Sequence, residues 1–241
     1  MSLVTVIPEQ EPSNDFVYHE LLRKILNHKS EANSEIAYEL LDASADFNPY
    51  ETLSCVNEKY AKNELSWYES CDLSINGHEG IENNPVWKRC ATKDGMINSN
   101  YGWCVWSKEN NEQYKHVLES FKKDISNKHG VMLYSRPTIN DEWNDDVHAH
   151  YDMMCTIYVS YMLREGLMHC FVHMRSNDAW SGIRNDLVWQ QFVLNKLVSE
   201  LNDCGIECKC GPIHWHADSL HIYKRSEERI LNYLKEKGVK V

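Results

Sequence analysis

The stretch DMMCTIYVSYMLREGLMHCFVHMRSNDAWSGIRNDLVWQQF, residues 152–192, decides the fold. Residues 152–163 and 167–175 are rich in aromatic and aliphatic side chains, and both read as strands. Arg164-Glu165-Gly166 joins them, and a glycine at that place suits the tight turn of a β-hairpin. A loop containing Gly182 follows. Apolar residues then recur with helical spacing over 185–201, and Asn202 to Gly205 closes that helix.

The rest of the chain alternates in the same way. Residues 16–28 place apolar side chains at 18, 21, 22, 25 and 26, a helical spacing. Residues 57–69 and 111–125 predict two more amphipathic helices, and 227–236 a terminal one. Residues 130–136 and 212–223 read as strands, the first ended by Pro137. Asn76-Gly77, Asn83-Asn84-Pro85 and Asp94-Gly95 are turn signals. Residues 1–14 form a loose polar lead, and the acidic run 138–148 is a loop. No repeat, linker or low-complexity tract interrupts the chain. The expectation is an α/β class with a mixed β-sheet and flanking helices, built as one domain over 1–241.

Composition narrows the function. The 241 residues carry a net charge of −11, which disfavours direct nucleic-acid binding because phosphate contacts need a basic field. No run approaches the roughly 20 apolar residues of a membrane span, and the start lacks the pattern of a secretory signal. Nine cysteines at irregular spacing do not read as a disulfide framework. A reducing, cytoplasmic setting is expected.

Several side chains carry chemistry. Cys155 sits in a half-polar strand, preceded by His148 and His150. A cysteine there is commonly a buried core thiol, but with a cation nearby it becomes a nucleophile, and Arg175 on the partner strand is that cation. Arg175-Ser176 at a strand end suits an anion such as phosphate. Asp178 and Asp186 flank the glycine loop, and Asp186 in a first helical turn also reads as a capping carboxylate. Glu64 lies beside Trp67 and Tyr68, where a carboxylate acquires a raised pKa, although a solvated helix face is the commoner setting. Cys204, Cys208, Cys210, His214 and His216 have zinc-ligand chemistry, but their spacing matches no standard site, so no metal is expected.

Seven blocks carry a resemblance: NEKYAKNELSWYES, INSNYGWCVWS, GVMLYSRP, MMCT, MRSND, IRNDLVWQQFVLNKLVSELN and SLHIY, over roughly residues 55–226. In this order they resemble the thymidylate synthase superfamily, and within it the branch of phage deoxycytidylate hydroxymethylases. The resemblance implies a thymidylate synthase-like fold and a homodimer packed through its sheet, with the active site shared across the interface. It implies Cys155 as the nucleophile toward carbon 6 of the pyrimidine, Glu64 as the carboxylate that handles water and protons, and Tyr101 as part of the proton relay. It implies Arg175 and Ser176 as phosphate ligands, His221 and Tyr223 as ligands of the sugar hydroxyl, and Trp87 and Asp178 as folate contacts. At the position of Asp186 thymidylate synthases carry asparagine, while the cytosine-specific branch carries aspartate.

Two departures stand out. An arginine pair usual before the strand 130–136 is replaced by Lys128-His129, which keeps charge but loses the bidentate fork. Ser160 stands where many relatives carry glutamine. Lys29 is a candidate for the N-terminal phosphate loop. The implied activity is 5-hydroxymethylation of dCMP with 5,10-methylenetetrahydrofolate as cosubstrate, in the cytoplasm of an infected host and in support of viral DNA modification. The alternatives are a related CMP or dUMP hydroxymethylase, a thymidylate synthase, or a catalytically silent nucleotide-binding regulator.

Overall fold

The computed structural model describes residues 12–30, 35–139 and 152–240. Most of the polar lead, most of the acidic run 138–148, and His148 and His150 lie outside the described residues.

Hydrogen-bonding side chains set where the helices begin. Helix α1 (Asn14–Leu26) is capped by Ser13, whose side chain accepts from the Phe16 N–H, and it buries Tyr18, Leu21, Leu22 and Ile25 along one stripe. Helix α2 (Glu58–Ser70) is capped by Asn57, which accepts from the Tyr60 N–H. Its buried stripe is Ala61, Glu64, Trp67 and Tyr68. The helical period therefore carries Glu64 inward with the aromatics, not onto a solvated face. Two short helices follow, α3 (Pro85–Cys90) and α4 (Tyr101–Trp106). The alternating readings above contain neither, because a helix of six residues is too short for a periodic signal. In α4 a Cβ on Gly102 would lie 1.7 Å from the Tyr68 carbonyl oxygen, so only glycine lets α4 pack against the end of α2. Helix α5 (Gln113–Lys123) turns Tyr114, Val117 and Phe121 inward.

Among the described residues six strands form one sheet, in the order β1-β6-β4-β3-β2 with β5 beside β6. The strands are β1 (Ile36–Phe47), β2 (Gly130–Leu133), β3 (Thr156–Arg164), β4 (Leu167–Met174), β5 (Asn177–Asp178) and β6 (Lys209–Tyr223). The expected hairpin is β3-β4, with Arg164 opposite Leu167. Glu165 at φ 52° and Gly166 at φ 75° make its turn, both in the left-handed region that matches strand twist. Strand β6 pairs parallel with β4 and β5 and antiparallel with β1, so the sheet is mixed. Strand β1 is absent from the sequence reading because its acidic residues Glu39, Asp42 and Asp46 mask the apolar pattern.

The long helix α6 (Ile183–Asp203) begins earlier than its apolar spacing implied and buries Leu187, Trp189, Val193, Leu194, Leu197 and Leu201. Helix α7 (Lys224–Glu236) follows β6 directly and buries Ile230 and Leu234. Alternation along β6 puts Ile213, Trp215 and Ala217 into the core and leaves His214 and His216 half-exposed on the other face. The core aromatics Trp67, Tyr68, Tyr101, Tyr134 and Trp189 meet where α2, α4 and α6 converge. Removing one such ring costs about 3–5 kcal/mol by the usual core-truncation scale. This rigid aromatic block forms the floor on which the functional side chains stand.

Candidate active site

A cavity of about 700 Å³ opens where α2, α3, β5 and the N-terminus of α6 meet. It falls within the roughly 300–1,000 Å³ typical of small-molecule sites. Cys155, Glu64, Tyr101, Arg175, Ser176, Asp178, Asp186, His221, Tyr223 and Trp87 all line it. Lys128 and His129 do not. Both are exposed just before β2, away from this chain's own cavity lining. Lys29 is also outside the lining and forms a bridge to Tyr38.

Cys155 precedes β3 and is not inside a strand, a correction to the sequence reading. The segment before it is clamped twice. The Asp152 carboxylate accepts from the Asn98 N–H at 2.8 Å, the Ser99 N–H at 2.6 Å and the Ser99 hydroxyl at 2.6 Å. The Arg175 guanidinium donates to the Met154 carbonyl at 2.9 Å and the Met153 carbonyl at 2.7 Å. Burial pushes the Cys155 thiol up to about 12; Arg175 pulls it down, while Asp186 and Asp152 push it up. One guanidinium therefore does not offset the burial. Proximity to Arg175 lowers the thiol's pKa without cancelling the effect of burial.

Glu64 is 5% exposed. Burial raises its carboxyl to about 8, the Tyr60 hydrogen bond opposes that rise, and Asp186 adds to it. The Tyr60 hydroxyl donates to Glu64 Oε1 at 2.7 Å, and the Trp87 indole N–H donates to the Tyr60 oxygen at 2.9 Å. Trp87 thus belongs to a relay ending on Glu64 as well as to the cavity wall. The sequence places Tyr60 on the inward side of the 57–69 helix but gives it no role at the site, although its place one helical turn before Glu64 is the available signal. Tyr101 stacks on Tyr68 with ring centroids 5.3 Å apart, and Thr156 Oγ1 donates to its hydroxyl at 3.0 Å.

Asp186 does not cap its helix. The helix starts at Ile183 without a side-chain cap, and the Asp186 carboxyl instead accepts from Asn177 Nδ2 at 2.8 Å. Burial lifts Asp186 to about 7; Asn177 opposes the shift and Asp178 adds to it. Asp178 uses Oδ1 to accept from the N–H groups of Trp180 and Ser181 at 2.8 and 3.0 Å. Its Oδ2 lies 3.9 Å from Arg225, whose guanidinium covers the Tyr223 ring at 3.9 Å. His221 is buried against Tyr223, ring edge to face at 4.8 Å. Arg89, Arg184 and Arg225 add positive charge to the lining and were missed by sequence reasoning. They come together only through α3, α6 and α7.

The five candidate zinc ligands do not converge. Cys204 is exposed at the end of α6, Cys208 and Cys210 are buried, and His214 and His216 pair with Asp46 and Asp218. Among the described residues no group of three or more His, Cys, Asp or Glu side chains is placed to hold a metal ion.

A buried thiol, two carboxyls with raised pKa values and a cationic rim suit covalent chemistry on a small anionic molecule. The family model of thymidylate synthase matches residues 17–240. The chain belongs to the thymidylate synthase family. It is 41% identical over 172 residues to the deoxycytidylate 5-hydroxymethyltransferase of Enterobacteria phage T4, covering 70% of this chain and 69% of that protein. The enzyme of the same name from phage T2 matches to the same extent. A thymidylate synthase of Buchnera aphidicola is 22% identical over 67% of this chain and 58% of its own length. The solved structure of thermostable thymidylate synthase A from Bacillus subtilis superposes with a TM-score of 0.69 at 17% identity, covering 91% of this chain and 83% of that one. The family's mixed sheet with flanking helices is the fold described above, and the chain is a one-carbon transferase of that family. Among the described residues no helix is long and apolar enough to cross a membrane.

Proposed function

We propose that this family member is a dCMP 5-hydroxymethyltransferase that uses 5,10-methylenetetrahydrofolate and water, acting as one catalytic domain in the cytoplasm. The observation that carries the reading is an aspartate, Asp186, where thymidylate synthases carry asparagine, in the same cavity as Cys155 and Glu64. A carboxyl with its proton on one oxygen offers a donor and an acceptor, which matches ring nitrogen 3 and the amino group of cytosine. The likeness to the phage enzymes supports the same substrate.

The cavity fits a nucleotide beside a planar second ligand. Its rim is cationic, Trp87 supplies an aromatic wall, and Asp178 keeps Oδ2 clear of its backbone bonds. The folate supplies a one-carbon unit at the oxidation level of formaldehyde. Arg175 and Ser176 hold the nucleotide phosphate, and His221 and Tyr223 hold the sugar hydroxyl. Cys155 Sγ bonds to carbon 6 and loses its proton as Asp186 supports nitrogen 3, which makes carbon 5 nucleophilic. Carbon 5 bonds to the methylene carbon and loses its proton, with Tyr101 on the relay side, while the bond from that carbon to the folate nitrogen breaks; tetrahydrofolate leaves and an exocyclic methylene remains on the ring. Glu64, held by Tyr60, orients water and takes its proton as the water oxygen bonds to the exocyclic carbon. The Cys155–carbon 6 bond then breaks.

A homodimer is the expected assembly. The sheet face carrying Tyr158, Phe171, His173, His214 and His216 would meet a second copy, and Lys128-His129 would reach the neighbouring phosphate. The test is incubation with methylenetetrahydrofolate and, separately, dCMP, CMP, dUMP and UMP, read by mass spectrometry. The expected product is dCMP increased by one CH2O unit. Formation of thymidylate from dUMP, or no product from dCMP, would overturn the reading.

A further inference from the structure

Asn177 has no role in the reaction as derived above, yet it sits at its centre. The residue is 2% exposed and lines the cavity. Its backbone is fixed by the β5-β6 ladder, opposite Leu220. Its Nδ2 donates to Asp186 Oδ2 at 2.8 Å. Its Oδ1 is buried and has no hydrogen-bond partner among the described residues. A Cβ on Gly182 would lie 3.0 Å from that Nδ2, so the bare glycine leaves room for the amide and for nothing else.

A buried acceptor without a partner is costly, and in a ligand cavity it marks the place of a ligand donor. Asn177 also controls its neighbour. With an N–H pointing at Asp186 Oδ2, that oxygen serves as an acceptor, and any carboxyl proton resides on Oδ1. The corner of the cavity between the two side chains therefore holds two acceptors, Asp186 Oδ2 and Asn177 Oδ1, with the Asn177 Nδ2 group turned to Asp186 and Gly182.

We propose that Asn177 is a second specificity-determining residue, which together with Asp186 recognises the exocyclic amino group of an aminopyrimidine nucleotide. This rests on the reading of the cavity as a cytidylate site. The amino group has two hydrogens, one for Asp186 Oδ2 and one for Asn177 Oδ1. A uracil carbonyl placed there has no hydrogen to give and faces two acceptor oxygens. Sites built to hydrogen-bond a ligand group reject the analogue lacking it, because the buried polar atoms stay unpaired.

The test is calorimetric binding of dCMP and of dUMP to wild type, Asn177→Ala and the similarly sized Asn177→Leu, with circular dichroism to confirm folding. Binding is read without folate, so it is independent of turnover. The wild type is expected to prefer dCMP, and both variants should lose roughly tenfold or more of that preference. A folded variant that binds both nucleotides more weakly by the same factor, or keeps the preference within about twofold, would make Asn177 merely structural and overturn the proposal. A wild type that prefers dUMP or binds neither nucleotide would sink the cytidylate reading itself, and the Asn177 proposal with it.

Discussion

The cavity wall and the open face of the sheet both gather titratable side chains, and they do so in opposite ways. On the sheet face His214 Nδ1 lies 2.7 Å from Asp46, and His216 Nε2 lies 3.2 Å from Asp218, with both carboxylates 69% exposed. His169 and His214 stack and meet at 3.0 Å. Within a single chain such pairs are open to solvent, where an ion pair is worth ~0–1 kcal/mol, and the second copy proposed for this face would cover them. In the cavity Glu64 and Asp186 are instead held by the neutral donors Tyr60 and Asn177, at 2.7 and 2.8 Å. Burial without a counter-cation moves these carboxyls to about 8 and about 7, so their protons exchange near neutrality. What marks a site for chemistry is thus the absence of a charge partner in a buried place, not the density of ionisable residues.

The sharpest way to break this contrast is at sulfur. Cys155→Ser should lower turnover by roughly a thousandfold or more while dCMP binding stays within a few-fold, because only the covalent step needs the thiol. The exposed Cys204→Ser should leave turnover unchanged. Equal losses in the two variants, measured as kcat, would erase the distinction between cavity and surface.

Glu64→Gln comes next. It should lower kcat by about 10²–10⁴-fold with a smaller effect on KM, since it keeps shape and removes the base. The same variant tests the buried carboxyl through stability. The folded pKa of about 8 lies above the ordinary 4.5, so between these values the folded state retains a proton that the unfolded chain has released. Stability contributed by Glu64 is therefore complete below the lower value and is lost as pH rises through the upper one. Thermal unfolding should show the wild type losing more Tm than Glu64→Gln between about pH 5 and pH 8. Parallel curves would place Glu64 in contact with water.

Smaller changes sharpen the comparison. Tyr60→Phe removes the hydrogen bond that restrains the Glu64 pKa, so the Glu64-dependent limb of the kcat profile should move to higher pH. Turnover should fall about fivefold, the worth of a single hydrogen bond near 1 kcal/mol. A profile that does not move would remove Tyr60 from the relay. Away from both the cavity and the sheet face, Lys122→Gln, which removes the solvent-exposed pair with Glu119, should leave both stability and kcat unchanged, which denaturant titration and a rate assay would check.

The hairpin at Glu165-Gly166, the long helix and the terminal helix were legible in the sequence because their periodicity is strong and local. Strand β1 was not, since its three acidic residues hide the alternation and its partner β6 is remote in sequence. Cys155, Arg175 and Asp186 stood out through residue type and motif order. Their environment did not, because burial is a property of the assembled fold. Hence burial outweighs the Arg175 guanidinium at Cys155, and the capping alternative for Asp186 gives way to a carboxyl bound to Asn177. Asn177 and Asp152 act through contacts between segments remote in sequence or on different elements, which residue type alone does not announce, while Tyr60 meets Glu64 within α2 and is tied to α3 by Trp87. The Cys/His cluster from Cys204 to His216 shows the reverse, because Cys204 and Cys208 precede β6 and a register shift between Cys210 and Ile213 puts Cys210 in the core while His214 and His216 face the other way.

Selection of cytosine over uracil falls most directly on the Asp186 carboxyl. The measurement is the ratio of kcat/KM for dCMP to that for dUMP in wild type and in Asp186→Asn. The amide offers a donor to the uracil carbonyl and an acceptor to its ring N–H, and it can no longer pass a proton toward nitrogen 3 of cytosine. The predicted result is a swing of roughly ten- to a hundredfold toward dUMP, the worth of one or two unpaired buried polar groups. An unchanged ratio in a folded, active variant would contradict the account, leaving Asp186 as a structural partner of Asn177 and the cytosine reading without its main support.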